Sequence, residues 1–98
     1  MPLTLCVMLW PRPGQDEALS AYEDGVLALL GDHGARLVSR VRRVDGSAGP
    51  VEVQVIELPD EAALDSYLAD PRRTANAAVR DAVIDRTEIM RVRSVETS

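Results

Sequence analysis

The sequence predicts an α+β fold in the order strand, helix, strand, strand, helix, strand, and three observations carry that reading. The first is the apolar run Leu3 to Trp10, closed by Pro11-Arg12-Pro13-Gly14, whose prolines cannot continue a hydrogen-bonded ladder. The second is a pair of stretches, 15–32 and 60–85, with apolar residues at the three- and four-residue steps of a helix. The third is two alternating segments, 36–44 and 51–58, on either side of Asp45-Gly46-Ser47-Ala48-Gly49-Pro50, which is turn chemistry of hairpin length. A chain of 98 residues is expected to form one domain, 1–98, with one core and room for one small pocket.

The first strand is apolar on both faces. Leu3, Leu5, Val7 and Leu9 lie on one, and Cys6, Met8 and Trp10, with Thr4, on the other. A strand of that kind is buried on both sides. The first helix, predicted over Gln15 to Asp32, sets Leu19, Tyr22, Val26, Leu29 and Leu30 on one stripe. Asp16 and Glu17 fall in its first turn, where the helix dipole favours acids, and Gly31 or Gly34 can take the left-handed cap.

The strand predicted for Arg36 to Val44 sorts Leu37, Ser39 and Val41 from Val38, Arg40, Arg42 and Val44. Its return, Val51 to Leu58, sorts Val51, Val53 and Val55 from Glu52, Gln54 and Ile56, so the arginines of one strand can pair with Glu52 and Glu57 of the other. Asp60 reads as an N-cap for a short helix carrying Leu64, Tyr67 and Leu68. Asp70-Pro71 reads as a restart, because Asp caps and Pro suits a first helical position. A longer helix to about Asp85 follows, with Ala75, Ala78, Val79, Ala82 and Val83 on a small-residue face, and Thr87 to Val95 is the last strand.

The order βαββαβ fits the split βαβ, or ferredoxin-like, plait: an antiparallel sheet with both helices on one face and the first and third strands central. The second face of the first strand then needs a cover, since each large apolar side chain left in water costs about 1.5–3 kcal/mol. A second copy of the chain, packed sheet against sheet in a two-fold homodimer, is the expected cover.

Composition excludes several classes. Sixteen acids against eleven bases, all of them arginine, give a net charge of −5, which opposes non-specific nucleic-acid binding. No apolar run approaches the roughly 20 residues of a membrane span, and Met1-Pro2-Leu3 lacks the basic start of a signal peptide, so a cytoplasmic location is expected. A single His and a single Cys close no zinc site. There is no glycine-rich phosphate loop or nucleophile elbow. The expectation is therefore no metal, no haem, no flavin and no other cofactor.

Several stretches carry a resemblance: Leu9-Trp10-Pro11-Arg12-Pro13-Gly14, Tyr22-Glu23, His33-Gly34-Ala35-Arg36-Leu37, Val55-Ile56-Glu57-Leu58-Pro59-Asp60 and Ala69-Asp70-Pro71. They resemble the dimeric α+β barrel superfamily, closest to its small bacterial domains of unknown function and more distantly to its antibiotic-biosynthesis monooxygenases. Ala35 stands where a second glycine is common in such domains, and Leu58 where phenylalanine is common. The resemblance implies a dimeric ferredoxin-like barrel. The wider superfamily spans cofactor-independent monooxygenases, cyclases, isomerases, haem proteins and stress-responsive modules, so fold does not decide function. Two readings stay open: a domain that binds a hydrophobic or aromatic metabolite between sheet and helices and acts on it, or a non-catalytic dimerisation or stress-response module whose cavity its own side chains fill.

The candidate site residues each admit two roles. His33 is the one imidazole, either a general base at the mouth of a helix–sheet cavity or a helix-stop residue. Trp10 either floors a pocket for a planar ligand or anchors an interface. Tyr22 and Tyr67 point their rings toward the sheet, where a hydroxyl needs a partner and can orient a ligand. Arg40, with Arg42, either binds an acidic substrate or pairs with Glu52 or Glu57. Arg80 either pairs on the surface or reaches a ligand anion. Cys6 reads as a buried, inert thiol.

Overall fold

The computed structural model describes residues 2–95. Its sheet has the order β2-β3-β1-β4 with every neighbouring pair antiparallel, from β1 (Leu3–Pro11), β2 (Arg36–Arg42), β3 (Glu52–Leu58) and β4 (Ile84–Val92). β1 and β3 are central, as two right-handed crossovers require. The helices α1 (Asp16–Leu27), α2 (Glu61–Leu68), α3 (Pro71–Thr74) and α4 (Ala77–Val83) cover one face, and Leu5, Leu9, Leu19, Ile56, Leu64 and Tyr67 form the centre of the core between the layers.

Local chemistry sets the helix boundaries. The stretch expected to be one helix to Asp32 is α1 followed by a tighter 3₁₀ turn, Leu30–His33. That turn keeps Leu30 buried and ends at Gly34, whose φ of 70° is reached at low cost only by glycine. Asp60 caps α2, its side chain accepting from the Ala63 N–H at 2.8 Å. Asp70 caps α3, accepting from the Arg72 N–H at 2.9 Å, with Pro71 in the first turn.

Two expectations are corrected past this point. The helix after Pro71 breaks a second time at Asn76, and it stops at Val83 rather than Asp85. The last strand then begins at Ile84, not Thr87. Ile84 is β-branched and buried against the end of β1, opposite Pro11, and that packing is better served by extended backbone than by another helical turn.

β2 carries the third correction. It ends at Arg42, and its register with β3 shifts between Leu37 and Ser39. The extra residue, Val38, acts as a bulge, so Leu37 does not share a face with Val41. Leu37 lies opposite Ile56, Arg40 opposite Gln54 and Arg42 opposite Glu52, all on the helix-covered face; Val41 lies opposite Val53 on the other.

That other face has no cover among the described residues. Cys6, Met8, Trp10, Val53 and Val55 are half-buried there, while Val41 and Met90 are 55% and 48% exposed. Beneath the helices, the buried face of β3 presents Glu52 and Gln54 as well as Ile56 and Leu58.

Candidate functional site

A cavity of about 100 Å³ lies between the inner face of the sheet and the helices. Its walls are apolar: Leu5, Val7, Leu9, Ile56 and Ile89 from the sheet, Leu27, Leu64, Tyr67 and Leu68 from the helices. Five polar side chains also reach it, namely Glu23, Gln54, Arg73, Arg80 and Thr87. An outer recess of about 270 Å³ adjoins it, sharing Leu68, Arg73 and Arg80 and adding Tyr22, Thr74 and Ala77.

Glu23 is the central polar group. It sits on α1 between Leu19 and Val26, within the apolar stripe, and is 6% exposed. Its Oε1 accepts a hydrogen bond from Gln54 Nε2 at 2.8 Å. The same Gln54 amide also donates to Glu52 Oε2, so one amide bridges two buried carboxyl groups. Their surroundings differ. Glu52 is paired with Arg40 at 2.9 Å and accepts from Ser20 Oγ at 3.2 Å. Glu23 has no ion pair within 4 Å among the described residues. Burial pushes its pKa up, the Gln54 hydrogen bond opposes that rise, and the Glu52 charge adds to it. A buried acid of raised pKa on a cavity wall is suited to giving or taking a proton.

Around it, Arg73 lies over the Tyr67 ring at 4.5 Å. Arg80 donates to Thr87 Oγ1 at 3.0 Å and has only a 3.9 Å contact with Asp81. The Tyr67 hydroxyl donates to the Val26 carbonyl at 2.9 Å, and burial pushes its pKa up to about 12. Tyr67 thus offers the cavity its ring rather than a free hydroxyl. Tyr22 rims the outer recess, and its pKa is likewise raised by burial.

The remaining candidates lie elsewhere. His33 is not among the cavity-lining residues. Its Nε2 lies 2.8 Å from Asp70 Oδ2 and its Nδ1 2.9 Å from Ser66 Oγ, with the ring edge against Tyr67 at 5.7 Å. Asp70 is an acceptor, so Nε2 carries the hydrogen. Asp70 also takes Arg72, and these contacts, Arg72 before His33, hold its carboxyl well below the usual range. His33 therefore ties the end of the first helical segment to the α2–α3 junction. Trp10 is on the uncovered face, donating to the Ala48 carbonyl at 3.2 Å under the Arg86 guanidinium at 4.4 Å. Arg40 faces the helices and reaches Asp24, Glu52 and the Ser20 carbonyl. The proposed hairpin pairs form as Arg40–Glu52 and Arg36–Glu57.

Glu23, Gln54 and Arg73 are the cavity groups that sequence reasoning did not single out. Glu23 left a signal: an acid four residues after Leu19 and three before Val26, on the stripe that faces the core. Among the described residues, no three His, Cys, Asp or Glu side chains converge as a metal site, and no helix is long and apolar enough to cross a membrane.

No protein-family model matches the sequence, and no curated protein does. Solved structures do match. An uncharacterized NIPSNAP-like domain protein from Burkholderia xenovorans has TM-score 0.78 at 14% identity, over 99% of this chain and 88% of that one. A dimeric protein of unknown function with a ferredoxin-like fold from Bacteroides fragilis has TM-score 0.72 at 10% identity, over 93% and 94%. A dabb family protein with a ferredoxin-like fold from Mesorhizobium loti has TM-score 0.69 at 12% identity, over 97% and 98%. At these identities the likeness shows the fold. The chain has the α+β, ferredoxin-like fold of these small domains, in agreement with the resemblance its sequence carries.

Proposed function

We propose that this protein is a cytoplasmic homodimer that binds a small hydrophobic or aromatic metabolite between its sheet and helices, with Glu23 handling a proton at the bound ligand. The observation that carries the reading is Glu23 itself: a buried carboxyl, on the wall of an otherwise largely apolar cavity, held by one amide hydrogen bond and no ion pair among the described residues. A buried acid without a charged partner is expensive to maintain for stability alone. Its position supports proton transfer to or from a ligand atom, the step shared by cofactor-independent isomerases and cyclases; in a monooxygenase of that kind it would take the proton that leaves the substrate. The tyrosine nearest the cavity centre, Tyr67, supplies a wall, and Tyr22 lines the approach. Arg40 pairs with Glu52, while Glu23, on the cavity wall, has no ion pair within 4 Å among the described residues. His33 holds the helices in place.

The dimer reading is supported by the uncovered face of β1 and β3, where Met8, Val53 and Val55 lie in a continuous apolar surface, and by the solved structure of this fold described as dimeric. Trp10 and Cys6 belong to that surface and lie outside the ligand site.

The test is an NMR titration of the isotopically labelled protein with benzamide, a neutral single-ring probe. Shifts should cluster at Leu64, Tyr67 and Ile89. The variant Ile89→Trp, at a half-exposed position on the cavity wall, should fill the space and abolish them while the fold is retained. Glu23→Gln should keep benzamide binding, and the wild-type Glu23 carboxyl carbon should titrate above the ordinary carboxylate range. An absence of cavity shifts would favour the non-catalytic module with a filled interior; an ordinary Glu23 titration would remove its proton-handling role.

A further inference from the structure

We infer that the ligand of this cavity is a small organic anion, with an apolar body of about one ring and an oxyanion head seated against Arg73 and Arg80. The inference rests on the reading of the cavity as a ligand site and adds the chemical class of what fills it.

Arg73 carries the argument. Its Nε is the one buried side-chain nitrogen or oxygen among the described residues that has no hydrogen-bond partner. Buried donors are nearly always satisfied, and one that is not calls for an explanation. Other arginines on the same side of the sheet are satisfied: Arg40, Arg42, Arg72 and Arg91 each reach a carboxylate at 2.8–3.0 Å. Arg73 makes no ion pair within 4 Å among the described residues; it lies over the Tyr67 ring, and the charge it acts on is the buried Glu23 of the same cavity. Its surroundings therefore place a positive charge on the cavity wall; Nε itself is closed to solvent, so the terminal nitrogens are the donors a ligand can reach.

Arg80 adds a second donor group. It lies on α4 after the break at Asn76 and, with Arg73, borders both the inner cavity and the outer recess. The acid nearest in the cavity, Glu23, is held by Gln54. Two guanidinium groups thus stand where an apolar chamber meets an outer opening. An oxyanion there accepts charge-assisted hydrogen bonds, while its apolar body enters the chamber walled by Leu5, Leu64 and Ile89.

Size and polarity restrict the class further. The inner cavity, about 100 Å³, is smaller than the roughly 150 Å³ cavity that admits benzene, so a ring must extend toward the shared recess, with its head at the arginines. A bare inorganic anion would leave the apolar chamber unused. A neutral apolar molecule would leave the guanidinium charge of Arg73 on the cavity wall without an anionic partner.

Calorimetric or NMR titration of the intact protein with benzoate, benzamide and inorganic phosphate tests the inference. Benzoate should bind at least about tenfold more tightly than benzamide, the scale of a hydrogen bond to a charged group. Arg73→Gln and Arg80→Gln should each weaken benzoate by about tenfold while leaving benzamide within about twofold. Should Arg73→Gln fail to fold for want of its stack on Tyr67, Arg80→Gln, at a partly exposed position, and Arg73→Lys, which keeps the charge but loses the guanidinium fork, still decide the matter; both should bind benzoate more weakly than the wild type. Equal affinity for benzoate and benzamide would overturn the anion inference and leave the ligand cavity standing. Competition by phosphate at equal concentration would reduce the arginines to a bare anion site and overturn the organic ligand. Benzoate preference unchanged in every variant would place the anion elsewhere. If neither ring compound shifts cavity resonances, the cavity reading and this inference fall together.

Discussion

The two faces of the sheet each depart from a simple pattern, one by the polar groups buried within its apolar core and the other by the apolar side chains left uncovered. The layer between sheet and helices holds Glu23 of α1 and Glu52 and Gln54 of β3 linked through one amide, with Arg40 at one end and the cavity at the other. The open face is a surface of Cys6, Met8, Val41, Val53, Val55 and Met90. Burying polar groups costs stability unless they are bonded, and exposing apolar ones wastes the main driving force for folding. Neither face is explained by the fold of one chain alone. The proposed function accounts for both, with a ligand on the covered side and a second subunit on the open side.

The largest effect that sharpens this contrast is in the core that the two faces share. Leu5→Ala, on the covered side at 1% exposure, should cost about 2–5 kcal/mol of stability by chemical denaturation. Val41→Ala, on the open side of an edge strand, should change it by no more than about 0.5 kcal/mol. Similar losses at the two sites would mean that the open face is packed as tightly as the core.

Next is Met8→Arg. It places an unpaired charge at the centre of the apolar face, so sedimentation should fall from twice the chain mass to once, with far-ultraviolet dichroism unchanged. A variant that remains dimeric would show that the partner seats on another surface.

Two pH experiments probe smaller effects. Asp70 has its pKa lowered in the fold, by Arg72 first and His33 second. Its stabilising contribution is present above the unfolded carboxyl value of about 3.9 and is lost as pH falls through the lower folded value. Asp70→Asn should therefore be less stable than wild type at neutral pH, with the gap closing below about pH 4. Glu23 has the opposite sign. Its pKa is raised, so its ionised form is disfavoured in the fold, and that cost is relieved as pH falls through the folded value toward the unfolded one. Glu23→Gln should be slightly more stable than wild type at neutral pH, and the advantage should vanish in acid. A Glu23→Gln protein less stable at neutral pH would show that the carboxylate serves structure.

Much of the fold was legible because local chemistry specified it. Pro11 and Pro13 end β1, Asp60 and Asp70-Pro71 start helices, and Gly34 takes the left-handed position, all through preferences that act within a few residues. The face assignment of β2 was not legible. The bulge at Val38 depends on how β2 pairs with β3, and a one-residue shift turns every later side chain to the other face. The same limit hid the start of β4, since Ile84 pairs opposite Pro11, far away along the chain.

The site was legible in part. Tyr67 was placed correctly toward the sheet from its helical stripe, whereas Tyr22 rims an outer recess whose lining has no strand residue. Glu23 was passed over because patterns are read by their apolar members, although the acid stood in the stripe itself. Gln54 gave less signal: its alternation with Glu52 is as consistent with a solvated face, and only the helices packed above it make it buried. His33 drew attention as the only imidazole, but Asp70 and Ser66, which take both its nitrogens, are 37 and 33 residues away.

The most direct test of the central claim, that the two faces serve two different occupants, is a methyl-resolved NMR spectrum recorded with a water-soluble paramagnetic agent and again with benzamide. The account predicts that Met8, Val53 and Val55 are shielded from the agent at micromolar protein and unmoved by benzamide, while Leu5, Val7 and Leu64 shift on its addition. Outer-face methyl groups relaxed like exposed surface, with inner ones indifferent to the probe, would contradict it.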